Sequence, residues 1–96
     1  MIDFSAIEGF DWDDGNARKS LDKHGVTQAE AEQVFAGAPL LNADVHHSSS
    51  EARFRALGET DNGRALHITF TLRGNGTKIR VISARNMNRK ERAIYG

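Results

Sequence analysis

Leu66, Ile68, Phe70 and Leu72 alternate with His67, Thr69 and Thr71, a two-residue repeat that puts every apolar side chain on one face of a strand. Turn signals bound it. Asp61-Asn62-Gly63 lies before and Gly74-Asn75-Gly76 after, and both hold the Asn-Gly pair that accepts the positive φ angles of tight hairpins. Three antiparallel strands are therefore expected at about residues 53–58, 64–72 and 78–85, preceded by a shorter one at about 40–45. Upstream the period is helical. Asp13 or Asp14 can cap a short helix running from Asn16 to His24, and Gly25 stands where a left-handed terminating residue is wanted. Thr27-Gln28-Ala29-Glu30 has the form of a capping box, in which the Thr hydroxyl and Glu carboxylate each satisfy an orphan amide. It opens a second helix with Ala31, Val34 and Phe35 on its apolar side, stopped by Gly37 and Pro39. A last helix, capped by Asn88, covers Arg89-Lys90-Glu91-Arg92. Helices followed by a run of strands indicate an α+β fold: two N-terminal helices and a C-terminal helix on a mainly antiparallel sheet of about four strands. The polar stretch from His46 to Ser50 reads as a mobile loop.

At 96 residues the chain supports a single domain spanning 1–96. With 39% hydrophobic and 27% charged residues, its composition is that of a folded globular protein. There is no cysteine, so neither disulfides nor thiolate metal sites are available. Met1-Ile2-Asp3-Phe4 shows no basic stretch leading into an apolar run, and no segment approaches membrane-spanning length. A soluble cytoplasmic protein is expected.

Zero net charge conceals a reversal. Residues 1–52 carry ten acidic side chains against three basic, a balance of −7, and residues 53–96 carry ten basic against three acidic, a balance of +7. The basic half is mostly arginine, whose planar fork suits bidentate recognition of phosphate, so nucleic acid is the leading partner class. The plainer reading is that the two halves neutralise each other across one small domain.

Several segments together resemble a known family: Phe10-Asp11-Trp12-Asp13, Lys23-His24-Gly25-Val26, Glu51-Ala52-Arg53-Phe54, Val81-Ile82-Ser83-Ala84-Arg85, and Arg89-Lys90-Glu91-Arg92 with Tyr95. From about Phe10 to Tyr95 the chain resembles the BrnT toxins of bacterial type II toxin–antitoxin pairs. The resemblance implies a fold similar to RelE ribonucleases, an endoribonuclease that arrests translation, and a BrnA-like ribbon-helix-helix antitoxin. It also implies a 2:2 complex with that antitoxin, through which alone operator DNA would be bound.

Metal-independent RNA cleavage needs a base for the ribose 2′-hydroxyl, an acid for the departing 5′-oxygen, and cations for the charge added at phosphorus. His24 stands at an expected helix C-terminus, where the helix dipole favours imidazolium and hence the acid role. Lys23 beside it can supply charge to the phosphate. Arg53, Arg73 and Arg85 are the arginines expected around the scissile phosphate, provided the hairpin registers bring them to one edge. Ser83, two residues from Arg85 on a strand, shares its face and can orient the phosphate. Arg55, Arg80, Arg89 and Arg92 can track the RNA backbone. No cofactor is expected. Trp12, Phe35, Phe54 and Phe70 look like core rather than a base-stacking platform.

Two other readings come from different classes. Asp44, His46 and His47 could hold a divalent metal, making the chain a metal-dependent nuclease or a metal-binding module. Alternatively, the chain is a noncatalytic Arg-rich module that binds nucleic acid or protein.

Overall fold

Local capping sets the helices. The computed structural model describes residues 4–43 and 51–96. After a 3-10 turn at Phe4–Ala6 come β1 (Gly9–Phe10), α1 (Asp14–His24), α2 (Gln28–Ala36), β2 (Leu40–Ala43), β3 (Phe54–Glu59), β4 (Ala65–Arg73), β5 (Lys78–Asn86) and α3 (Arg89–Tyr95). Asp13 caps α1 by accepting from the Asn16 amide, and Gly25 closes it in the left-handed region at φ 66°. Thr27 and Glu30 form the expected capping box of α2, and Asn88 and Glu91 form another on α3. The expected loop at residues 46–50, the proposed metal ligands Asp44, His46 and His47, and the end of the strand expected at 40–45 lie outside the described residues.

The sheet has the order β1-β5-β4-β3-β2. Its antiparallel part, β2 to β5, agrees with the sequence pattern. The addition is β1, two residues long and parallel to β5 through Gly9↔Lys78 and Phe10↔Ile79, which makes the sheet mixed. Both N-terminal helices pack on one face, over Ala56, Leu66, Ile68, Phe70, Ile79, Val81 and Ala84, with Val26, Ala31 and Val34 closing the core. Phe70 is fully buried, edge-on to Phe35 at 5.0 Å and 5.6 Å from Phe54. Gly58 lets α2 come this close: a Cβ there would stand 2.8 Å from Val34 Cγ1.

One irregularity decides what the opposite face displays. In the pairing of β4 with β5, Thr69 faces Ser83 but Phe70 faces Val81, so Ile82 is an extra residue, a β-bulge. Ile79 and Val81 point into the core, and an unbroken alternation would send Ser83 and Arg85 after them. The bulge reverses the parity. Ala84 joins the core instead, while Ser83 and Arg85 turn to the face of Thr69 and His67, their cross-strand partners.

α1 is stitched to the outer edge of β5 beyond the point where β1 ends. Buried Asn16 donates through Nδ2 to the carbonyls of Asp11 and Val81, each at 3.0 Å, and the buried Ser20 hydroxyl accepts from the Ala84 amide at 2.9 Å. These contacts satisfy edge groups that the short β1 leaves without a strand partner. The C-terminal end of α1 is held by Arg64, whose guanidinium donates to the carbonyls of His24 and Gly25, to both Glu30 oxygens, and to Asn86 Oδ1. One cation thus gathers α1, α2 and β5, and it satisfies carbonyls that a helix end leaves open.

Candidate active site

The face of the sheet turned away from α1 and α2 is partly roofed by α3. Under that roof Asn42, Arg55, Leu57, His67, Glu91 and Ile94 line a cavity of about 170 Å³. Strand register accounts for the grouping. Asn42 pairs with Arg55, Leu57 with His67, and His67 with Arg85, so neighbouring strands hold these side chains in adjacent rows on one face.

Arg85 and Glu91 form the fixed part of the site. Arg85 Nη1 donates to Glu91 Oε1 at 2.8 Å and Nη2 to Oε2 at 2.9 Å, the bidentate geometry of the strongest charge-assisted pairs. The Asn88 amide also donates to Glu91 Oε1, at 2.9 Å. Arg85, aided by that amide, holds the Glu91 carboxyl down at about 2, so it is ionised throughout the physiological range. On its other side, Glu91 Oε2 lies 3.6 Å from His67 Nε2.

His67 is buried, at 7% exposure, and burial is the main cause that lowers its imidazole below the ordinary histidine range. The positive charges of Arg85 and Arg55 push the same way and Glu91 opposes them. A neutral imidazole beside a permanent carboxylate can accept a proton and have the resulting charge balanced. Arg55 completes the group. Its Nε is buried and has no hydrogen-bond partner among the described residues, a donor left in reserve.

The residues singled out in the sequence divide. Arg85, Ser83 and Arg55 share this face, as do Arg80 and Thr71 farther along it. Arg73 is at the other end of β4, six residues from His67, or roughly 20 Å at ~3.3 Å per residue, and its Nη2 is paired with Glu51 at 3.2 Å. Register therefore separates Arg73 from Arg85. Arg53 precedes β3, two residues from Arg55 on the way to the Arg73 end. Arg80 is paired with Asp13 at 2.8 Å and Asp11 at 3.5 Å. Together with Glu30–Arg64 and Glu51–Arg73, these pairs join the acidic half of the chain to the basic half, so part of the charge reversal is internal neutralisation. Lys23 and His24 are exposed at the end of α1, and neither side chain has a polar partner among the described residues. Arg89 and Arg92 are exposed on α3.

The sequence reading missed His67 and Glu91. His67 was legible only as a polar member of an alternating strand, and Glu91 as part of a charged helix. The available signal was the alternation itself, which separates His67 from the core-facing Leu66 and Ile68. Among the described residues no group of three or more His, Cys, Asp or Glu side chains is arranged to hold a metal ion.

A family model described as "Ribonuclease toxin, BrnT, of type II toxin-antitoxin system" matches residues 12–91. The chain belongs to the BrnT toxin family. The fold agrees: the crystal structure of the Brucella abortus ribonuclease toxin BrnT superposes with a TM-score of 0.59 at 20% sequence identity, over 84% of this chain and 97% of that one. A search of curated proteins finds no match. The α+β expectation drawn from the sequence thus coincides with the BrnT fold, and membership places the chain among the ribonuclease toxins of type II systems. No helix in the described residues is long and apolar enough to cross a membrane.

Proposed function

We propose that this BrnT-family chain is a metal-independent endoribonuclease whose chemistry is carried by His67, Arg55, Arg85 and Glu91. The supporting observation is the site's division of labour. A neutral buried imidazole stands 3.6 Å from a carboxylate that is itself locked by Arg85, while Arg55 next to them keeps an unused N–H. In this reading His67 takes the proton of a ribose 2′-hydroxyl as the 2′-oxygen attacks phosphorus. Glu91 then balances the imidazolium, and Arg85 keeps Glu91 ionised and oriented. Arg55 donates to the phosphoryl oxygen that gains charge, with Ser83 as an orienting hydroxyl. The bond from phosphorus to the 5′-oxygen breaks and that oxygen takes a proton from solvent water, while the proton on His67 returns to solvent, giving a 2′,3′-cyclic phosphate and a 5′-hydroxyl. Arg53, Arg89 and Arg92 hold flanking phosphates.

The cellular role we propose, supported by membership of a type II toxin family, is cytoplasmic RNA cleavage that arrests translation, reversed by a BrnA-like ribbon-helix-helix antitoxin in a 2:2 complex. Oppositely charged patches hasten such capture. The test is purified protein with defined RNA in excess chelator. Cleavage leaving 2′,3′-cyclic phosphate ends, blocked by a single 2′-deoxy substitution at the cut nucleotide, is expected. Cleavage that stops on chelation, or leaves 3′-hydroxyl ends, overturns the reading.

A further inference from the structure

The cavity holds more than the proposed chemistry uses. Beyond His67, Glu91 and Arg55 it is walled by the apolar side chains of Leu57 and Ile94, and Asn42 stands at its rim. Ile94 is 61% exposed, more than Leu21 at 48% or Leu40 at 40%, and it stands where the cavity opens to solvent. The Asn42 amide has no hydrogen-bond partner among the described residues, and Asn42 lies directly across the β2–β3 ladder from Arg55. An aliphatic slot with one amide at its edge and a phosphate-binding arginine beside it matches the parts of a nucleotide. The ring faces need apolar contact, the ring edge needs donors and acceptors, and the phosphate needs a cation.

Size agrees with that assignment. A cavity of ~150 Å³ accommodates a benzene ring, so about 170 Å³, open to solvent on the side of Asn42 and Ile94, has room for a single planar base. The edge chemistry narrows the choice. A carboxamide offers a donor and an acceptor side by side, the complement of the N7 acceptor and N6 amino donor of adenine.

We infer that this slot is a base-recognition subsite in which Asn42 selects adenine next to the cleaved phosphodiester, with Leu57 and Ile94 against the ring. The inference rests on the ribonuclease reading above. It makes Asn42 a specificity-determining residue, distinct from the groups that move protons.

The experiment maps cut sites on a pool of short RNAs randomised around one cleavable linkage, comparing the wild-type chain with Asn42→Ala and Asn42→Gln. The wild type is expected to favour adenine at one flanking position. Asn42→Ala should reduce that preference by roughly ten- to a hundredfold, the discrimination carried by one bidentate base contact, and Asn42→Gln, which keeps the amide, should retain part of it. An RNA with an abasic residue at that position should be cut equally by wild type and Asn42→Ala, an equality that a merely structural role would not produce. If the wild type cuts RNA to cyclic-phosphate ends but all three proteins share one base profile, the subsite is refuted and the ribonuclease stands. If the wild type cuts no RNA, both fall together.

Discussion

Strand β4 has two different neighbourhoods. On one side Leu66, Ile68 and Phe70 lie in the core with Val26, with Ala31 and Val34 of α2 and with the inner residues of β3 and β5, and each is fully buried. On the other side His67, Thr69 and Thr71 face Arg55, Ser83, Arg80 and Arg85, with α3 covering one end. α3 contributes no fully buried residue. The two faces differ in what an error would do. Apolar contacts on the inner face are interchangeable in kind and act by volume, whereas the outer face depends on which nitrogen meets which oxygen. Stability and chemistry thus occupy alternate positions of one strand, and substitutions one residue apart should have opposite signatures.

The sharpest contrast is at His67. His67→Asn keeps a polar side chain but removes the proton acceptor, and cleavage should fall by roughly 10² to 10⁴ in rate, with the urea unfolding midpoint near that of wild type. His24→Ala, at the exposed end of α1, should fall by less than tenfold in the same RNA assay. The reverse order would move the acid–base centre to the α1 terminus and leave the outer face as packing.

Phe70→Ala tests the inner face. Loss of a fully buried phenyl ring costs about 3 to 5 kcal/mol, a large share of the ~5–15 kcal/mol that holds a domain of this kind together. Urea denaturation should show a strongly lowered midpoint, and the folded fraction that remains should cleave at the wild-type rate. A folded but inactive variant would show that the faces are not independent.

The difference between the faces also explains what could be read from the chain. Caps are local: Asp13, Thr27 and Asn88 satisfy amides three residues away, so sequence alone located all three helices. The hairpins were legible for the same reason, since Asn-Gly turns and two-residue alternation are short-range. β1 was not, because two residues carry no period and their partners, Lys78 and Ile79, lie far along the chain. His67 was legible as outward-facing, but its burial comes from α3, which reaches it only after the chain has turned back from β5. Arg85 was named for charge. Its orientation depends on the bulge at Ile82, and Ile79, Val81, Ile82 and Ala84 fit either parity until the partner strand is known.

Ser20 joins the two faces, and Ser20→Ala would measure how tightly. The buried Ala84 amide would lose its acceptor, at a cost of about 1 to 3 kcal/mol. Ala84 stands between the bulge and Arg85, so kcat should also fall modestly. Lost stability with kcat unchanged would show that the bulge keeps its shape without α1.

The smallest effect, and the most specific, is in the response to pH. His67 is held below the ordinary value of 6.5, so the unfolded chain takes up that proton before the folded one does. Its contribution to stability is therefore complete above 6.5 and is lost as the pH falls from 6.5 through the folded value. Glu91, held at about 2 against an ordinary 4.5, adds a second loss that begins near 4.5 and continues toward 2. In His67→Asn the upper window should vanish from a plot of melting temperature against pH while the lower one persists. Activity should report the same group. If neutral His67 is the base, the acid limb of log kcat/KM lies below 6.5, and Glu91→Gln, by removing the negative charge that favours imidazolium, should move that limb to still lower pH as the rate drops. A limb that stays in place or moves upward would mean that Glu91 does not act on His67. The Arg85–Glu91 pair would then serve only to fasten α3, and the outer face would differ from the inner one in polarity alone.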